Sequence, residues 1–243
     1  MTERLYMDDA ALMTCTARVL SATPEAIELD RTVFYARSGG QAGDTGTLRW
    51  AGGETAIADT LKGEGDAIRH IPAPGATIPA PGSEVTCQLD TARRMALMRM
   101  HTTLHLLCAI LPGVAVTGGA VNPEKSRLDF DLANPPTKED VEAALNALID
   151  ADHPVSTEWV DESVLDTNPG LVRTLSVQPP RGTGRLRLVR IGAGETPIDL
   201  QPCGGTHVAR TGLIGRMTIV KIENKGKQNR RMVIAPAQAP TLA

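Results

Sequence analysis

Asp90-Thr-Ala-Arg-Arg-Met-Ala-Leu-Met-Arg-Met-His-Thr-Thr-Leu-His-Leu-Leu-Cys-Ala-Ile-Leu111 is the stretch on which the reading of this chain turns. Asp90 or Thr91 offers an N-cap and Pro112-Gly113 a stop, so the spacing predicts a helix from about Ala92 to Leu111. Leu97, His101, Leu104, His105 and Cys108 fall on one face of it by 3-4 spacing. Upstream the character is different. Thr16–Leu20 and Ala26–Leu29 are short strand-like runs, and glycine clusters at 39–46, 52–53 and 63–65 punctuate the rest. Ile71–Gly82 is rich in proline and reads as a loop, and Gly82–Leu89 as a closing strand. A small β-barrel fits that rhythm.

Downstream, Thr137 caps a second helix with Glu139 and Asp140 in its first turn and Val141, Leu145, Leu148 and Ile149 facing inward. Val155–Val160, Arg185–Ile191, Met217–Ile222 and Arg231–Ala235 alternate as strands do, and Glu223–Gln228 turns the last two into a hairpin. The expected class is α+β: a barrel domain over 1–88, then helices on a largely antiparallel sheet over 89–243. The proline-bearing tail from Ala235 is expected to be disordered.

Composition narrows the chemistry. With 243 residues and 42% hydrophobic content the chain can bury a sizeable core, but two Phe, two Tyr and two Trp make that core aliphatic. Base stacking on aromatic platforms is therefore not the expected mode of nucleic-acid binding. A net charge of −3 supplies no global field to recruit RNA, so any such contact must be local. Cys15, Cys87, Cys108 and Cys203 show no framework spacing, which fits a reducing compartment. The N-terminus has no signal-peptide pattern, and Leu104–Val116 is too short to span a bilayer. A cytoplasmic location, away from membranes, is the expectation.

Two half-sites carry the chemistry. His101 and His105 stand one helical turn apart, about 6 Å along the axis, and one ion can bridge them. Cys203-Gly204-Gly205-Thr206-His207 sets a thiolate and a third imidazole on a tight turn. Together they make a complete tetrahedral set for one Zn2+ per chain. Cys108 shares the helix face, but it lies about 10.5 Å from His101 along the axis and belongs to the core. Thr102 stands where a zinc protease carries glutamate, and no other carboxylate in these motifs is an obvious base. The expected nucleophile is then a water whose pKa the metal lowers to about 7. The amides of Gly204 and Gly205 are candidates for an anion-binding nest.

Phe34-Tyr-Ala-Arg-Ser-Gly-Gly-Gln-Ala-Gly-Asp-Thr-Gly46 is too glycine-rich for a core segment and reads alone as a hairpin loop. Beside H-x-x-x-H and C-G-G-T-H it is more specific. With Arg127–Phe130, Leu165–Gly170 and Lys221–Arg231, nearly the whole chain resembles the alanyl-tRNA editing proteins: the editing domain of alanyl-tRNA synthetase and its freestanding relatives, the AlaX family. The glycine-rich barrel is similar to the two-domain form, and no amino-acid-activating domain is expected before it. Arg37 departs from the acidic or similar residue usual before S-G-G-Q.

The resemblance implies a zinc-dependent aminoacyl-tRNA deacylase that acts on the acceptor end of mischarged alanine tRNA, seryl before glycyl. Gln41, Thr102, Gly204 and Gly205 are its candidate catalytic residues. Gly39, Gly40, Thr103, Lys225 and Arg230 are its candidate substrate contacts, with Arg93, Arg94, Arg99, Lys221, Lys227 and Arg231 as further positive charge. Two alternatives stand beside it. Gly39-Gly40-Gln41 is similar to the tripeptide with which release factors place water at an ester, which would make the metal structural. A closed four-ligand zinc would equally staple a non-catalytic tRNA-binding module.

Overall fold

The computed structural model describes residues 1–175, 179, 181–182 and 184–237. They form two compact units, Met1–Leu97 and Met98–Ala243. The division falls inside the first long helix, beyond the boundary expected at residue 88.

The first unit contains β1 (Glu3–Arg4), β2 (Thr14–Thr23), β3 (Ala26–Leu29), β4 (Arg31–Thr32), β5 (Gly46–Trp50), β6 (Gly53–Lys62), β7 (Ile68–Pro72) and β8 (Glu84–Leu89). Six of these close into a barrel in the order β2-β3-β7-β6-β5-β8, with every pairing antiparallel. Closure removes the exposed edges an open sheet would leave. Alternate residues point inward, so Ala17 and Val19 meet Val85, Cys87 and Leu89 in an aliphatic core that also holds Ile27, Leu29, Leu48 and Ile57. Ile71 and Pro72, expected in a loop, complete β7.

Among the polar groups buried in that unit is a histidine. His70 is fully buried, its Nδ1 2.9 Å from the Ile27 carbonyl and its Nε2 2.8 Å from the Thr32 hydroxyl. The carbonyl can only accept, so Nδ1 carries the proton and Thr32 donates to Nε2. Burial pushes the pKa of this ring down to about 4, which keeps it neutral.

The glycine-rich segment is a tight hairpin. Ser38 and Gln41 exchange backbone hydrogen bonds of 3.2 and 2.9 Å across Gly39 (φ +54°) and Gly40 (φ +82°). Two successive positive φ values mark a primed turn that L side chains rarely adopt. Gly43 is required for another reason. A Cβ there would lie 2.4 Å from both Asp59 Oδ1 and the Thr60 carbonyl. Arg37 pairs with that same Asp59 at the surface.

α1 spans Thr91–Ile110, capped by Asp90, whose Oδ1 accepts the Arg93 amide at 3.0 Å. In the second unit follow β9 (Val116–Ala120), β10 (Ser126–Asp131), α2 (Lys138–Asp150), β11 (Val155–Asp161), α3 (Val164–Thr167), β12 (Arg185–Ile191), β13 (Asp199–Pro202), β14 (Met217–Asn224) and β15 (Asn229–Pro236). They make two antiparallel sheets, β14-β15-β10-β9 and β11-β12-β13. Thr137 caps α2 by accepting the Asp140 amide. The helix is tied to β14 by Asn146, which exchanges hydrogen bonds of 2.8 and 3.0 Å with the Met217 backbone. Residues 235–237 of the expected tail are ordered by β15 and by a 3.0 Å bond from Ala237 to Arg216, and the remainder lies outside the described residues. Among the described residues no helix is long and apolar enough to cross a membrane.

Candidate metal centre

Residues 101–108 of α1 are buried on every side rather than along one stripe. That is how a helix surrounded by protein reads. His101 and His105 emerge from it one turn apart. β12 and β13 bring the second half: Cys203 follows β13 directly, and its amide donates to the Arg187 carbonyl at 3.1 Å. Arg187 Nη1 returns to the carbonyls of Cys203 and Gly205, at 2.7 and 3.1 Å, which pins the turn leading to His207.

The four side chains expected to bind metal converge, with one donor atom from each of His101, His105, Cys203 and His207 lying within 4.8 Å of the others. Cys203 Sγ is 3.6 Å from His101 Nε2 and 3.4 Å from His207 Nε2. Zinc–nitrogen and zinc–sulfur bonds of about 2.0 and 2.3 Å at a tetrahedral angle would hold N and S roughly 3.6 Å apart. The donor set and its spacing fit one zinc ion.

The surrounding charges suit that use. On Cys203 burial opposes ionisation, but the neighbouring imidazoles of His101 and His105 outweigh it and hold the sulfur well below the usual thiol range, as a thiolate. Burial also opposes charge on His105, yet Asp199 and Cys203 outweigh it and keep that pKa up at about 10. Burial, with repulsion from His101, pushes His207 down to about 3, so its ring is neutral. Cys108 is a core thiol that burial raises to about 12.

The other expected site residues fare differently. Thr102 is fully buried, and its hydroxyl donates to the Met98 carbonyl at 2.9 Å and accepts the Val208 amide at 3.2 Å. Its third neighbour is His207 Nδ1 at 3.2 Å. One proton and two lone pairs are all a hydroxyl has, so none is left for a substrate hydroxyl. Thr103 projects about 200° round the helix from His101, donates to the Arg99 carbonyl at 2.8 Å and is also buried. Neither threonine is placed to read a seryl side chain.

Gly205 donates its amide to Cys203 Sγ at 3.3 Å, and neither it nor Gly204 has the positive φ of a nest, so the two amides do not form one. Gly39, Gly40 and Gln41 lie in the first unit. The two glycines form an exposed turn tip, and the Gln41 side chain is buried.

The expected positive surface is largely turned to internal use. Arg94 is buried in an ion pair with Asp44, Arg93 donates to the Gly43 carbonyl and Arg99 to that of Ile214. On the β14–β15 hairpin, Lys221 and Lys225 share Glu223, and Arg231 grips Asp129 with two 2.8 Å bonds. Arg230 donates to backbone carbonyls at Ala133, Gly226, Lys227 and Asn229.

Two residues around the centre escape a reading of the sequence. Asp199 Oδ2 is 2.8 Å from His105 Nδ1, and its Oδ1 accepts Gln201 Nε2 at 2.8 Å. The signal was there in period two: Asp199 and Gln201 share one face of β13, in step with Cys203 just beyond its end, and both are polar yet buried.

Comparison with known proteins agrees with this arrangement. The family model described as the threonyl and alanyl tRNA synthetase second additional domain matches residues 186–233, and that of class II (A) tRNA synthetases matches residues 10–93. The chain is 35% identical to the alanine–tRNA ligase of Pyrobaculum calidifontis across 91% of its own length, but spans only 25% of that enzyme. It is 35% identical to the alanyl-tRNA editing protein AlaX-M of Methanosarcina acetivorans over 243 residues, 96% of this chain and 98% of that one. The protein of the same name from Saccharolobus solfataricus is 30% identical over 236 residues, with the same coverage. A barrel followed by a His101, His105, Cys203 and His207 cluster, matched end to end at this identity, means that the chain belongs to the AlaX-M family of alanyl-tRNA editing proteins.

Proposed function

We propose that this chain edits alanine tRNA by hydrolysing the ester of a wrongly attached amino acid, serine first and glycine second. The observation that carries the proposal is the convergence of three imidazoles and a thiolate in a chain matched along its whole length by editing proteins. His101, His105, Cys203 and His207 would hold one zinc ion. Such an ion supplies Lewis acidity, which polarises an ester carbonyl and acidifies water. The chain's own part is to keep Cys203 ionised, His207 neutral and the turn between them fixed through Arg187.

The need for such an enzyme follows from binding energetics. A pocket built for alanine's methyl group rejects a side chain that merely adds a hydroxyl by only about a hundredfold. A second site that hydrogen-bonds the hydroxyl discriminates in the other direction by about 10⁴–10⁵. Serine on alanine tRNA is the error that arrangement removes. The partner is then the acceptor end of that tRNA. Lys225 and Arg230 remain the proposed phosphate contacts, since a guanidinium bonded to carbonyls keeps its charge.

The deciding experiment is a deacylation assay on seryl-, glycyl- and alanyl-tRNA of alanine specificity, with metal-free and zinc-restored protein. Seryl-tRNA should be cleaved fastest and alanyl-tRNA spared, with activity lost and regained with zinc. A second reading rests on the ligand count: four protein ligands are what structural sites have, and a zinc-stapled RNA-binding module would have them too. Zinc removal that unfolds the protein, together with binding of tRNA but no cleavage of any charged form, would favour that reading.

A further inference from the structure

We propose that Thr102 and Asp199 are positioning residues that hold His207 and His105 in the Nδ1–H form, so that both rings present Nε2 to one metal ion. The inference rests on the reading of the cluster as a zinc site and goes beyond it, since it concerns residues that touch no metal.

The argument for Thr102 is a count of hydrogen-bonding capacity. Its hydroxyl meets the Met98 carbonyl, the Val208 amide and His207 Nδ1, at 2.9, 3.2 and 3.2 Å. The carbonyl only accepts, so it takes the single hydroxyl proton. The amide only donates, so it takes one lone pair. What remains on Oγ1 is the other lone pair, and His207 Nδ1 must bring the proton. That leaves Nε2 bare, on the side of the ring facing Cys203 Sγ at 3.4 Å. Because Thr102 is fully buried, no water competes for these bonds.

His105 is fixed by charge instead of by counting. Asp199 Oδ2 accepts from Nδ1 at 2.8 Å, and Gln201 holds the other carboxylate oxygen, so the acid cannot rotate away without breaking a second bond. The two devices come from different elements, α1 and β13, and act on ligands that the chain brings from α1 and from the turn after β13. A ring oriented in this way binds metal without first losing rotational and tautomeric freedom. Removing such an outer partner typically costs 10–100-fold in metal affinity.

The test uses the full chain and zinc alone, with affinity measured by competition against a chromophoric chelator. Asp199→Asn and Thr102→Val should each weaken zinc binding by about 10–100-fold, and Thr102→Ser should recover most of the loss. Thr103→Val, which removes an equally buried hydroxyl on the same helix, should leave zinc affinity within about twofold whatever it does to melting. A readout that needs no variant is the long-range ¹H–¹⁵N spectrum of the zinc-loaded protein, which should show His105 and His207 protonated at Nδ1 and metal-bound at Nε2. Folded Thr102→Val and Asp199→Asn variants with unchanged affinity, or Nδ1 ligation in the spectrum, would overturn the proposal while leaving the zinc site standing. Failure of the unaltered chain to take up zinc would overturn the site itself and the proposal with it.

Discussion

Arg94 and Asp44 form an ion pair of which 0% and 1% of the side chains is exposed, the arginine from the first turn of α1 and the aspartate from the end of the glycine-rich segment. The guanidinium also donates to the carbonyls of Ala10 and Val33, and the carboxylate accepts the Tyr35 amide at 2.7 Å. One side chain therefore closes three separate pieces of the first unit around a buried charge. Arg94→Met keeps the bulk but strands the carboxylate and two carbonyls, and should destabilise the protein by about 3–5 kcal/mol. Urea unfolding at pH 7 measures this directly, and a loss below about 1 kcal/mol would mean that the pair is dispensable.

His70 gives the first unit an acid limit. Its folded pKa of about 4 lies below the unfolded value of about 6.5, so the unfolded chain binds the proton more readily. The sign follows from that difference. Stability from this group is complete above about pH 6.5, falls as pH drops, and is gone near pH 4, for a total of about 3 kcal/mol. His70→Gln should be less stable at pH 7 and should lose that part of the decline between pH 6.5 and 4. Denaturant midpoints across this window check both statements.

The primed turn at Gly39-Gly40 predicts an ordering of substitutions. Gly40→Asn should cost less than about 1 kcal/mol, because asparagine tolerates positive φ, whereas Gly40→Val should cost about 1–3 kcal/mol from backbone strain. Thermal melting separates the two. The asparagine variant is also the clean probe of the proposed role in deacylation: a slowed reaction at an unchanged melting temperature supports a part for this tip, and an unchanged rate removes it.

Zinc uptake should release protons in a number fixed by the site. Cys203 is already ionised and His207 already neutral, whereas His105 holds its proton up to about pH 10. These three ligands should together lose roughly one proton at pH 7, and affinity should rise with pH until His105 titrates. Calorimetry in buffers of different ionisation enthalpy gives the count. Two protons from these ligands would mean that Cys203 begins as a thiol.

The four converging donors were legible because each pair is a four-residue step that survives any detail of packing: i,i+4 on a helix for His101 and His105, and a short turn for Cys203 and His207. The closed barrel was legible in part, from the alternating β2 and β8 and the glycine clusters between strands. β9 was not, since Gly118 and Gly119 break the pattern, nor was β13, whose inward face is Asp199 and Gln201. Polar residues pointing inward read from sequence as surface. The same blindness sent Arg94 and Arg99 outward toward a partner when both turn inward to backbone or a buried acid. Thr102 shows a different limit. Its place beside a ligand suggested contact with substrate, and only the directions of three hydrogen bonds show that its hydroxyl is full.

Three of the four donors are braced by a group that is not itself one of the four: Asp199 for His105, Thr102 for His207 and the Gly205 amide for the Cys203 sulfur, with Arg187 holding the loop beneath them. The cluster is thus preorganised by ordinary protein hydrogen bonds rather than assembled around an ion. In small zinc modules the ion's binding free energy is spent on folding, and a chelator denatures them. Here a chelator should strip the ion and leave a folded apoprotein that reloads on adding zinc, its circular dichroism unchanged throughout.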